Sequence, residues 1–171
     1  MQNYFELFDL KTSFFVDDEA LKKSYQAQVM RFHPDNFATK SQAEQLQALQ
    51  NTSLVNSAYT TLKTPLNRAS YLLNLENINP FDEKDTNMDA DFLISQIELR
   101  EQLENIKEQK DNLALDNFIE RVQDFIKDNV ASISEAFTQS RDLQEIKTLV
   151  RELKFYEQLN KEANMLMDEW L

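Results

Sequence analysis

Residues 29–42 read VMRFHPDNFATKSQ, and they hold the only histidine of the 171-residue chain and one of its three prolines. Upstream of that histidine, Leu21, Tyr25, Val29 and Phe32 recur at i, i+4, i+8 and i+11, which makes one apolar side of an α-helix. Asp17 can cap this helix, and Asp18 and Glu19 in its first turn suit the positive end of the helix dipole. Lys23 and Arg31 project from the other side, with Lys22 at the border. Pro34 has no N–H for the helical ladder and disfavours the α region at the residue before it, so the helix must end at His33. Downstream, SQAE at 41–44 is a capping box that opens a further helix toward Lys63, with Leu54, Val55, Ala58 and Leu62 along one side. HPDNFATK is therefore a loop joining two helices.

Working outward, the remaining punctuation is also helical. Asn3 followed by Glu6 resembles a capping box for a short first helix that presents Tyr4, Leu7 and Phe8. Thr64 then Pro65 is an N-cap with proline at the first helical position, opening a fourth helix through LNRASYLLNL. Glycine is absent, whereas a sheet protein of this size needs it for hairpin turns and bulges, so the expected class is all-α. ENINPFDEKDTN, polar and acidic around Pro80, breaks the pattern and reads as a linker at 77–88 between a module at 1–76 and another at 89–171. Charge divides at the same place. The first 76 residues are close to balance, whereas the rest carry twice as many acidic as basic side chains.

Three helices are expected in the second module, at 90–110, 113–136 and 140–170, forming a bundle. In the last, Ile146, Leu149, Leu153, Tyr156, Ala163, Met167 and Trp170 fall on a heptad seam with Asn160 the polar exception. Leu115, Phe118, Val122, Phe125, Ile126 and Ile133 form the stripe of the middle helix, and Phe92, Leu99, Leu103 and Ile106 that of the first. Leu93, Ile94 and Ile97 do not fit, because at 100° per residue they lie well around the helix from Phe92. Glu101 and Glu104 come on that same outward side, and Phe155 takes a solvent-facing heptad position. An exposed apolar cluster rimmed by charge is what a protein-binding site requires. The competing reading is that these side chains pack against the first module or under the linker.

Composition excludes several function classes. A net charge of −12, with bases interleaved among acids, offers no attraction to a phosphate backbone, so nucleic acid is not an expected partner. No apolar run approaches the roughly 20 residues of a membrane span, and MQNYFELFDL has neither a basic region nor a cleavage site, so no membrane association is expected and a cytoplasmic location is. With no cysteine and one histidine, neither a metal centre, a cofactor nor a nucleophilic triad is expected.

The HPD tripeptide recurs by chance in many proteins, but its surroundings narrow the choice. With YFELFDL at the opening, LKKSYQAQVMRFHPDNF, and the series Ala58, Tyr59, Leu62, Pro65 and Arg68, the stretch from residue 4 to about 76 resembles a J-domain. It departs from that family at Asp9, where glycine is usual, and at Asn36, where lysine often follows the tripeptide. The resemblance implies a helical-hairpin module that stimulates ATP hydrolysis by a DnaK-type chaperone through His33, Pro34 and Asp35 and the basic residues Lys22, Lys23 and Arg31. FLISQIELREQLENI and, at distance, RELKFYEQL resemble the C-terminal domain of the HscB family of iron-sulfur co-chaperones, over the full length of the chain. That implies a bundle which binds the cluster scaffold protein, of IscU type, and a J-domain that delivers it to a dedicated chaperone of HscA type. Leu93, Ile94, Ile97 and Phe155 match the family's scaffold-contact positions, with Glu98, Arg100, Glu101 and Glu104 as polar neighbours. Some family members carry a cysteine-rich N-terminal segment, and its absence points to the bacterial type.

The expected function is thus a non-enzymatic adaptor. A J-protein for general unfolded clients would need a larger, more adaptable surface than this compact cluster. An enzyme using His33 as general base would lack a titrating partner other than Asp35 and any glycine for close approach to a substrate.

Overall fold

The structure, a computed structural model, describes residues 2–85 and 88–171. It comprises seven α-helices, with no strand among the described residues: α1 Tyr4–Leu7, α2 Asp18–Arg31, α3 Gln42–Lys63, α4 Pro65–Leu75, α5 Ala90–Gln109, α6 Asn112–Thr138 and α7 Leu143–Glu169. The chain divides into two compact units, Met1–Leu75 and Glu76–Leu171.

The expected caps form. Asn3 accepts from the Glu6 N–H, Asp17 from the N–H groups of Glu19 and Ala20, and Ser41 and Glu44 complete a reciprocal capping box. Where glycine would normally take left-handed backbone, Asp9, Asn77, Lys110 and Ser140 do so, with φ between 50° and 62°. Each such position costs roughly 1–2 kcal/mol relative to glycine. Asp9, a departure from the J-domain pattern, is therefore tolerated as a strained turn.

In the first unit α2 and α3 pack as a hairpin around Phe5, Phe8, Leu21, Val55, Ala58 and Leu62, with Tyr25, Val29 and Phe32 against them. Tyr25 stacks on Tyr59 at 4.0 Å between ring centroids, and its hydroxyl donates to Asn56. Arg68 is buried: its guanidinium donates to the carbonyls of Phe14 at 2.6 Å and Leu62 at 2.8 Å and lies over the Phe14 ring. Burial lowers its pKa, an effect that Asp18 opposes. It is a tie between α4 and the segment before α2. Leu54, expected on the core side of α3, is exposed, because the buried stripe runs through Ala48, Val55, Ala58 and Leu62 instead.

In the second unit α6 and α7 form a long hairpin and α5 lies against both. The buried line of α6 is Leu115, Phe118, Ile119, Val122, Asn129, Ile133 and Ala136. Phe125 stays exposed, stacked on Tyr156. In α7 Ile146, Leu153 and Ala163 of the expected seam are buried and are joined by Val150, Phe155, Leu159 and Leu166, while Leu149, Tyr156, Met167 and Trp170 are only partly buried. A heptad seam describes a helix with one neighbour. The C-terminal half of α7 has two, and α5 buries the side carrying Phe155, Leu159 and Leu166.

The stretch expected to be a linker belongs to the second unit. Pro80 is buried, Phe81 lies under the Lys154 ammonium, and Asp85 pairs with Lys147 and Arg151. Only positions 86 and 87 of that stretch fall outside the described residues.

Glu152 and Glu157 have carboxyls pushed above the ordinary 4.5 by burial, with Asp89 adding to the effect at Glu152. A raised acid pKa means that the fold favours the neutral form. The stabilisation is complete below pH 4.5 and is lost as pH rises through the raised value. Glu152→Gln should therefore raise the melting temperature at pH 7 and change it little at pH 4.5; an equal shift at both would show that the carboxyl charge is not what costs stability.

Candidate functional site

The bend between α2 and α3 is built from backbone chemistry. Phe32 caps α2, its N–H bonding the Gln28 carbonyl, and His33 then takes extended geometry (φ −58°, ψ 135°) as Pro34 demands. Pro34–Phe37 form one 3₁₀ turn. The Asp35 N–H donates to His33 Nδ1 at 3.2 Å, so the ring caps that turn, and Nδ1 stands 3.6 Å from an Asp35 carboxylate oxygen. Both side chains remain solvent-exposed. His33, Pro34 and Asp35 are thus one rigid, outward feature.

Two side chains that pattern reading did not single out as functional hold it in place. Asn36 Nδ2 donates to the Met30 carbonyl at 2.7 Å, adding a short bond to a carbonyl at the end of α2 that also receives the longer bond of the His33 N–H at 3.4 Å. Gln45 Nε2 lies within hydrogen-bond distance of the carbonyls of Phe37, Ala38 and Lys40. The absence of the usual lysine at position 36 marked the first; the second has no signal in local spacing.

The basic residues of α2 are all exposed but do not form one patch. Arg31 sits beside the turn with its guanidinium over the Phe32 ring. Lys22, nine residues earlier and half a revolution around the helix, lines a depression with Tyr59 and Lys63, and Lys23 lies between the two flanks, opposite Leu21.

On α5, Leu93, Ile94 and Ile97 are 42%, 54% and 59% exposed, as the pattern required, and Glu98, Arg100, Glu101 and Glu104 are exposed around them. Phe155 is a correction. It is only 9% exposed, packed edge-to-face against Phe92 and roofed by the Arg100 guanidinium, which also pairs with Glu162. Its heptad position faces away from α6, but α5 occupies that side. The exposed apolar patch is therefore Leu93, Ile94 and Ile97, and Phe155 belongs to the core between α5 and α7.

Residues 3–71 match the DnaJ domain, and residues 88–164 match the HSCB C-terminal oligomerisation domain. The co-chaperone protein HscB homolog of Photobacterium profundum is 37% identical over 165 residues, 96% of each chain. The chain belongs to the HscB co-chaperone family. HscB of Vibrio cholerae superposes with a TM-score of 0.87 at 38% identity, covering 99% of this chain and 100% of that one. Human co-chaperone HscB gives 0.89 at 32% identity, over 96% of this chain and 82% of its own. For an HscB-family J-domain protein the partner implied is an Hsp70-type chaperone. No helix among the described residues is long and apolar enough to cross a membrane.

Proposed function

We propose that this HscB-family chain is a non-enzymatic cytoplasmic adaptor of iron-sulfur cluster assembly. Its second unit binds a scaffold protein of IscU type through Leu93, Ile94 and Ile97, with Glu98, Arg100, Glu101 and Glu104 setting register at the rim. Its first unit presents the bound scaffold to a chaperone of HscA type and stimulates that chaperone's ATPase. The observation that carries this reading is the exposed, pinned His33–Pro34–Asp35 turn, in a chain related to HscB co-chaperones along nearly its whole length. A histidine and a carboxylate held by flanking helices offer a donor and an acceptor to a partner at little ordering cost. Arg31 beside the turn, with Lys22 and Lys23 farther back along α2, favours approach to an acidic surface.

The two separate cores allow a direct test. Residues 1–75 and 76–171 should each give a cooperative thermal transition. With an HscA-type chaperone and ATP, the first fragment should stimulate hydrolysis but lose the additional stimulation that the IscU-type scaffold gives the intact chain. An intact chain that leaves the ATPase rate unchanged, with or without scaffold, would overturn the proposal.

A further inference from the structure

Beside the tripeptide lies an apolar feature that the adaptor function leaves unused. The N-terminal part of α3 is largely uncovered: from Gln42 to Gln50 only Ala48 is buried, and Leu46 and Leu49 are 56% and 60% exposed. Leucines at i and i+3 on an unpacked helical turn stabilise nothing in the fold. Between this part of α3 and the 3₁₀ turn runs a groove of about 230 Å³, lined by Pro34, Phe37, Ala38, Gln45, Ala48 and Leu49. Gln45 is the one polar side chain among these, and its amide is engaged by the carbonyls of Phe37, Ala38 and Lys40, at the end of the turn and just after it. The same bonds join the groove's two walls, and the Ser41–Glu44 capping box fixes where α3 begins. The groove is pre-formed.

We infer that this groove is a second docking point for the Hsp70-type chaperone, receiving one aliphatic or aromatic side chain of that chaperone while His33 and Asp35 engage its polar groups. The inference rests on the chaperone partnership proposed above. The occupant follows from continuity, because Pro34 belongs both to the tripeptide and to the groove wall, and a protein seated on His33 and Asp35 also covers the groove. Size agrees with a single side chain, since small-molecule sites run from about 300 to 1,000 Å³. Energetics agree as well. Two exposed polar contacts bind little by themselves, and interfaces draw most of their affinity from a few apolar anchors seated in pockets next to such contacts.

The test uses the intact chain with an HscA-type chaperone and ATP, following stimulation against co-chaperone concentration. Leu49→Glu places a charge at the groove, Ala38→Phe fills it, and Leu49→Met keeps its character. Both positions tolerate change without loss of fold, because Leu49 and Ala38 are exposed. Leu49→Glu and Ala38→Phe should raise the concentration for half-maximal stimulation by about tenfold, with the maximum retained and Leu49→Met close to wild type. If both disruptive variants act at wild-type concentrations while the wild-type chain stimulates, the groove is not a docking point and the co-chaperone reading stands. If the wild-type chain itself does not stimulate, both fall together. Self-association of the wild-type chain in sedimentation, abolished by Leu49→Glu, would overturn the inference in favour of a second copy as occupant.

Discussion

His33→Gln should reduce stimulation of an HscA-type chaperone to the unstimulated rate while leaving helicity and melting unchanged. The imidazole is exposed, and its one hydrogen bond among the described residues is the cap on the Asp35 N–H, so no core depends on it. Loss of an exposed loop side chain typically shifts stability by no more than about 0.5 kcal/mol. The turn itself persists, because Pro34 sets the backbone and Asn36 and Gln45 tie it to α2 and α3. What disappears is the imidazole that the turn presents. Single-turnover ATP hydrolysis at saturating co-chaperone, beside a thermal melt of the same preparation, checks this. Stimulation equal to wild type would remove His33 from the mechanism even with the fold intact.

Phe155→Ala and the pair Leu93→Ala with Ile97→Ala should separate stability from binding. Phe155 fills the space between α5 and α7 against Phe92 and Tyr156, and truncating a buried phenylalanine costs about 3–5 kcal/mol. The exposed Leu93 and Ile97 should cost the fold little when truncated. As anchors at the centre of an interface they should each be worth about 2 kcal/mol of scaffold affinity, so the pair loses well over tenfold. Melting and titration with the IscU-type scaffold distinguish the two. A double variant that binds normally would remove α5 as the scaffold face, and a Phe155→Ala protein that melts like wild type would contradict its burial.

The site was unequally legible in the sequence. The turn at His33 could be read because its causes lie within a few residues: proline geometry, a capped helix before it and a capping box after it. Leu93, Ile94 and Ile97 were legible for a related reason, since an apolar residue on the wrong side of an amphipathic helix is visible in its angular position alone. Gln45 was not, because its role lies in carbonyls five to eight residues earlier, brought to it only by the bend.

Phe155 shows the remaining limit. A heptad count assigns each position of α7 to a side, but whether that side meets water depends on which helices flank it, and the pattern of α7 does not encode the placement of α5. The same holds for residues 77–85, whose acidic, proline-bearing composition reads as a linker. Asp85 finds Lys147 and Arg151, and Phe81 finds Lys154, some sixty or seventy residues away. By itself the sequence determined the helices, their caps, the exposed turn and the two-part organisation, because those follow from interactions within about four residues and from composition. Tertiary structure alone decided which face of α7 is covered, that the apparent linker packs as part of the second unit, and that Phe155 is buried in the core between α5 and α7, because burial depends on contacts between distant segments that no local period specifies.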